Sequence, residues 1–315
     1  MKDSHIYDFR LDVDIPERID KLLSLYLPEY SRSTIQKWIN NKDILITGKP
    51  CSQKDKISES CDVSINVRTK PSINLIPENI EIDIIDETDD YIVVNKRSGV
   101  VTHIAPGNYT GTLQNGLYFK YPELSEVPRT GIIHRLDKDT SGLLVVCRNL
   151  ASHNYLSKQL HEKKFTKIYH ALVTRCIDKP IVVEEPIGRH PVNRKKMSIH
   201  INGRHAVSKI KPLTVFKKTT HVEVELITGR THQIRVHLSY LNNPVIGDSM
   251  YGFKKTFFTK DLNISKTIEP VFSQYLHAYS LSFRDPSSNE LKKYTAEYPK
   301  EYSLLLNKLN KDNYD

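Results

Sequence analysis

Apolar residues at Ile19, Leu22, Leu23, Tyr26 and Leu27 recur at the three- and four-residue spacing of one helical face. The pattern predicts an amphipathic helix over Ile15–Leu27, ended by Pro28. A second helix is expected from Ser33, with Gln36 completing a capping box and Ile35, Trp38 and Ile39 on one face. Ile44 to Lys49 reads as a short strand running into a turn. These elements predict a minor domain over residues 15–67. A linker follows over residues 68–79, marked by Pro71 and Pro77.

The pattern then changes period. Ile80, Ile82 and Ile84 alternate, a polar turn covers Glu87–Asp90, and Tyr91–Val94 is apolar. Further strands are expected at Gly142–Cys147, Lys167–Thr174, Val222–Ile227 and Tyr279–Phe283. Helices are expected at Ala151–Lys163 and at Thr231–Leu241, the latter capped by Thr231. Strands with interspersed helices and no regular βαβ period predict an α+β domain on a mixed sheet over residues 80–310.

Composition narrows the class. The 315 residues can bury a sizeable core, and no run of about eighteen apolar residues offers a membrane span. The first eight residues lack the apolar core of a secretory signal, so the expected location is cytoplasmic. Four cysteines without a CxxC pair predict free thiols rather than disulfides or zinc. A formal net charge of +9 favours a polyanionic partner.

Three segments carry candidate chemistry. His134–Gly142 sets an arginine and two carboxylates, Asp137 and Asp139, at the lip of an apolar strand. Carboxylates two apart on one segment do not flank a scissile bond. A single aspartate paired with an arginine is the better reading, because the opposing charge keeps the carboxylate ionised as nucleophile or base. Thr228–Leu238 follows a strongly alternating strand and offers Arg230, His232, Gln233 and Arg235 on a helix opening at a Gly229 turn. His232 and His237 stand five apart, which does not suit a shared metal, so they read as structural or RNA-contacting. Lys167, Tyr169 and Ala171 share one strand face, where Tyr169 is either a core aromatic or a platform for a base. In the minor domain Arg32, Ser33, Gln36 and Lys37 cluster at a helix N-terminus, a phosphate-binding arrangement.

The spacing Arg18-x-Asp20-Lys21-x-Leu23, Ser31-Arg32-Ser33-x-Ile35-Gln36 and Ile44-x-Ile46-x-Gly48-Lys49 resembles the S4 RNA-binding domain. The larger part resembles the RluA family of pseudouridine synthases, and closely its RluD-like branch. The matching pieces are Ile92–Lys96 with Gly99, His134–Gly142, Lys167-x-Tyr169-x-Ala171, Thr228–Leu238, Pro244–Gly252 and Leu276–Ala278. Ile187–Met197 is similar to that branch's inserted segment, whereas Arg97 and Ile104 stand where the family usually has proline.

The resemblance implies the pseudouridine synthase fold, a mainly antiparallel mixed sheet behind a small S4-like αβ domain. It implies isomerisation of uridine within RNA, by base flipping and an essential aspartate. Asp137 would be that aspartate, Arg235 its partner, Tyr169 the stacking tyrosine, and Arg135 the side chain entering the RNA helix. The expected RNA contacts are Arg135, Arg32, Ser33, Gln36, Lys37, Arg230 and His232. Isomerisation neither oxidises nor releases a group, so no metal or other cofactor is expected. The branch points to large-subunit ribosomal RNA or the pre-ribosomal large subunit as partner of a monomeric enzyme. A tRNA-directed member of the family and a non-catalytic RNA-binding or ribosome-assembly protein are the alternatives.

Overall fold

The computed structural model describes residues 4–13, 15–27, 32–68, 75–105, 107–257 and 274–314. Pro28, Ser31, Pro71 and the segment 258–273 lie outside the described residues, as does half of the expected linker, residues 69–74. Two compact units divide at residues 74 and 75.

In the first unit Ile19, Leu23, Ile35, Trp38, Ile39 and Ile44 close one core against Leu11, Val63 and Ile65. The first helix is Ile19–Tyr26, shorter than its apolar stripe, because Glu17–Arg18 pairs instead as a strand with Lys56–Ile57 and leaves Ile15 exposed. The second helix is Arg32–Asn40, so Ser33 lies inside it. The Gln36 amide does not close a capping box; it donates to the carboxylate of Asp20 at 2.7 Å. Thr47 and Gly48, at φ 49° and 76°, turn Ile44–Ile46 back on Lys49–Pro50. Consecutive positive φ values are those of a tight hairpin whose twist matches its strands. Ser4–Leu11, which no sequence pattern had flagged, pairs antiparallel with Cys61–Arg68 along its whole length.

The second unit is built on one nine-stranded mixed sheet. Its path runs Ile181–Glu184, Val207–Val215, Thr219–Leu226, Thr166–Thr174, Leu276–Arg284, Ser141–Cys147, Tyr91–Lys96 and Asp83–Glu87, with Leu291–Thr295 pairing Leu276–Arg284 outside this path. Every pairing is antiparallel except that between Leu276–Arg284 and Ser141–Cys147, which meet in parallel through His277–Ser141 and Ala278–Gly142. The expected helices appear as Leu150–His161 and Gln233–Tyr240. Helices Leu113–Lys120 and Lys300–Tyr314 are additional to the sequence reading. Ile92, Val94, Leu144 and Val146 face one core, while Tyr91, Val93, Leu143, Val145 and Cys147 face another, as strands covered on both faces require.

The parallel contact fixes the position of the site. Gly142 has φ +112°, and a Cβ there would stand 2.4 Å from the carbonyl oxygen of Ala278, so only glycine lets the two strands meet. Ala278 in turn pairs with Tyr169 on its other side. Gly142, Ala278 and Tyr169 therefore lie in one row across the sheet, directly downstream of Asp137. No helix among the described residues is long and apolar enough to cross a membrane.

Candidate active site

A cleft of about 880 Å³ opens on this row, lined by Arg135, Asp137, Tyr169, Arg230, His232 and Arg235 among others. That volume suits a flipped nucleotide in the usual range of ligand sites. The loop bearing Asp137 is held by the segment after Lys96. The Lys96 ammonium donates to the carbonyls of Arg97, Val100 and Lys138 at 2.8–2.9 Å. Ser98 donates to the carbonyl of Asp139, Gly99 N–H to that of Lys138, and Thr102 to that of Leu136. Burial pulls the Lys96 pKa down to about 7. Three carbonyl acceptors match the three donors of the charged form.

Asp137 is joined to Arg235, 98 residues away. Arg235 Nη1 donates to Asp137 Oδ2 at 2.9 Å, while its Nε and Nη2 hold both oxygens of Asp248 at 2.7 and 3.0 Å. The guanidinium lies 4.8 Å over the ring of Tyr251, whose amide in turn caps on Asp248. Burial alone would lower the Arg235 pKa, but the hydrogen bond to Asp248 and the charges of Asp248 and Asp137 outweigh it and raise it further. The geometry is that of a bidentate arginine clamp, with one arm left for the reacting carboxylate. Asp137 keeps 18% of its side chain exposed to the cleft.

His232 opens the helix at φ 57° with no side-chain cap, so Thr231 does not cap it; the left-handed residue itself turns the chain. Its Nε2 stands 3.8 Å from Asp137 Oδ1 and its Nδ1 2.7 Å from the Tyr251 hydroxyl. Gln233 is buried at the cleft wall and tied back onto the strand Val207–Val215. Its oxygen accepts from Thr228 Oγ1 and Arg230 N–H, and its amide donates to Val207 O and Ser208 Oγ, locking the turn to a neighbouring strand. His237 is likewise buried, bonded to Ser208 and to the carbonyl of Glu185.

Tyr169 is 8% exposed and borders the cleft in the row of Ala278 and Gly142, where burial and then the charge of Asp137 raise its pKa. Arg135 is exposed at the rim, and Arg230 donates through Nε to the carbonyl of His205. In the first unit, Arg32 and Gln36 share the buried Asp20 with Arg18, whereas Ser33 and Lys37 are exposed. The structure thus brings Asp137, Tyr169, Arg235 and His232 together, places Arg135 and Arg230 on the same cleft, and leaves the other four on the small unit. Arg97 pairs with Glu81 at 2.6 and 2.8 Å, and Ile104 N–H is taken by Gln114.

Sequence reasoning missed several residues of the site. Asp248 and Tyr251 stand in a segment matched to the family, yet nothing in their spacing showed that they grip Arg235. His103 lines the cleft, with a pKa pushed down to about 4 by burial and the charges of Arg135 and Arg129. Arg129, Thr130 and Gly131 form a left-handed turn at its edge, with φ 56°, 56° and 75°. Thr130 accepts from Gln114 there at 3.1 Å. A positive φ at a β-branched residue has no periodic signature in sequence.

Residues 90–240 match the family model for RNA pseudouridylate synthase. The ribosomal large subunit pseudouridine synthase D of Neisseria meningitidis serogroup B is 40% identical over 295 residues, 93% of this chain and 78% of the relative. Its counterpart of the same name in Escherichia coli K12 is 35% identical over 299 residues, 94% of this chain and 91% of the relative. The solved structure of human RNA pseudouridylate synthase domain containing 1 superposes with a TM-score of 0.55 at 27% identity, covering 70% of this chain and 85% of that one. With relatives this similar along nearly its whole length, the chain belongs to the RluA family of RNA pseudouridine synthases.

Proposed function

We propose that the chain converts uridines of large-subunit ribosomal RNA to pseudouridine, with Asp137 as the reacting carboxylate. The observation that carries this is the clamp: Arg235 holds Asp137 with one arm and the buried Asp248 with the others, at the wall of a cleft that also holds Tyr169. The bacterial relatives named above, matched over 93–94% of this chain, are by name large-subunit enzymes, and that supports the substrate class. The reaction breaks the bond between N1 of uracil and C1′ of ribose, turns the base, and forms a bond from C5 to C1′. C5 loses its proton and N1 gains one, so atoms balance with no cofactor. Extruding the base costs a few kcal/mol, which stacking on Tyr169 and insertion of the rim residue Arg135 offset. In this reading Asp137 acts as nucleophile or base, and Arg235 orients it.

The unit containing residues 15–67 serves as an S4-like RNA-binding domain, joined through residues 68–79 to a catalytic domain over residues 80–310. Arg32, Ser33, Gln36 and Lys37 face RNA there, and Arg230 and His232 do so at the cleft. The enzyme acts as a cytoplasmic monomer. Unmodified large-subunit ribosomal RNA and tRNA, incubated separately with the full chain, test the substrate. Carbodiimide-dependent reverse-transcription stops are expected in the ribosomal RNA alone. Stops confined to tRNA would overturn the substrate class, and release of free uracil would overturn the isomerisation.

A further inference from the structure

Asp137 offers two oxygens, and the clamp from Arg235 takes only Oδ2. The other oxygen, Oδ1, faces His232 Nε2 at 3.8 Å. Which ring nitrogen of His232 carries the proton follows from Tyr251. The Tyr251 hydroxyl is buried and accepts the N–H of Met197 at 2.8 Å. A buried hydroxyl proton needs an acceptor, and an amide N–H cannot serve as one. Among the described residues the partner left to the hydroxyl is His232 Nδ1, at 2.7 Å. Tyr251 therefore donates to Nδ1, and the single proton of a neutral imidazole sits on Nε2, directed at Asp137. The opposite tautomer would leave the hydroxyl proton without an acceptor and set a lone pair against a carboxylate. The left-handed backbone at His232, φ 57° and ψ 19°, aims the ring, since a helical residue there would carry it elsewhere.

We infer that His232 is a positioning residue for the reaction: its Nε2–H, fixed by Tyr251, orients Asp137 Oδ1 while Arg235 orients Oδ2. At 3.8 Å the contact is not yet a hydrogen bond, and it closes to one when substrate fills the cleft, as catalytic contacts commonly do. Met197 belongs to the strand Met197–Ile199, which pairs with Ile187–Arg189 in the segment similar to the RluD-like insertion, so that segment braces the chain from Met197 through Tyr251 to His232. This assignment rests on Asp137 being the reacting carboxylate.

The test exploits a conflict between backbone and side chain. Asparagine tolerates the left-handed region better than glutamine. Glutamine, however, is long enough to place an amide donor where Nε2 stands, whereas asparagine reaches only the Nδ1 position. The full chain is assayed by tritium release from large-subunit ribosomal RNA labelled at C5 of uridine. His232→Gln is expected within about threefold of the parent kcat, and His232→Asn about tenfold below it, the loss of one charge-assisted contact. A kcat for His232→Asn equal to or above that of His232→Gln would overturn the inference, because a purely structural role favours asparagine. Tyr251→Phe should lower kcat in the parent and do nothing more in His232→Asn. Additive losses would count against the chain. Nitrogen-15 NMR of the free protein, with His232→Asn as assignment, reads the tautomer without RNA. A protonated Nε2 is expected, and a protonated Nδ1 would overturn it. An active Asp137→Asn would sink the underlying reading instead; an inactive one beside a fully active His232→Asn would sink only this one.

Discussion

At the scale of single residues, the site is a problem of holding charge in place. Arg235 is 8% exposed in its side chain and bonded to two carboxylates, so it cannot be replaced by a cation of another shape. Lysine keeps the charge but offers a point donor in place of a planar fork. Arg235→Lys is expected to lose about a hundredfold in kcat, the scale of a misplaced reacting group, while RNA affinity measured by filter binding changes little. Arg235→Met leaves Asp248 buried and unpaired and should lower stability by about 3–5 kcal/mol in urea unfolding. A variant as stable as the parent would mean that the clamp is not what holds Asp248. Tyr169→Phe separates ring from hydroxyl: stacking survives, so most RNA affinity should remain, whereas Tyr169→Ala should lose about 1–3 kcal/mol of it. Equal affinity losses in the two variants would argue against a stacking role.

At the scale of elements, two contacts carry the Asp137 loop to its place: the lysine cage of Lys96 and the glycine crossing of Gly142. Lys96→Met removes the three donors to the carbonyls of Arg97, Val100 and Lys138 and leaves the last of these held by Gly99 N–H alone, so kcat should fall together with the melting temperature. Gly142→Ala meets both a backbone oxygen at 2.4 Å and a left-handed φ; circular dichroism melting should show it to be the less stable of the two. These elements also show what sequence could and could not carry. The strand Ser141–Cys147 was legible from Gly142 onward because Leu143 to Cys147 is apolar, and Thr166–Thr174 and Thr219–Leu226 were legible from Lys167 and from Val222 because their patterns have the strand period. The nine-stranded order was not legible, since the parallel join rests on two residue pairs and a glycine. Asp137 and Arg235 could be paired only through the family's motif order, because 98 residues of chain separate them. Val207–Val215 was hidden by Pro212, which sits where the register shifts and so breaks no regular ladder. The first helix was read to start four residues too early because Ile15, apolar and 75% exposed, continued a stripe that the short strand Glu17–Arg18 interrupts.

At the scale of the molecule, acid should reveal the second face of the catalytic sheet. His170, His221 and His277 are buried there beside Tyr298, with burial pushing their pKa values down to about 3, 4 and 4. The unfolded chain takes up protons at these sites near pH 6.5, so it binds more protons than the folded one below that pH. Stability should be level above about pH 6.5 and fall as pH drops towards 4, with protons taken up on unfolding. Urea midpoints that stay constant across this window would contradict the burial of neutral imidazoles. Removing residues 1–74 at the unit boundary should leave a folded catalytic unit with weaker RNA binding; an insoluble remainder would count against two independent units. The proposed chemistry of the whole molecule turns on one carboxylate. Asp137→Asn keeps the volume of the side chain and removes its charge, so RNA binding should persist while pseudouridine formation in large-subunit ribosomal RNA disappears under single-turnover conditions. Product formed by this variant at more than a trace of the parent rate would contradict the role assigned to Asp137, and with it the reading of the site.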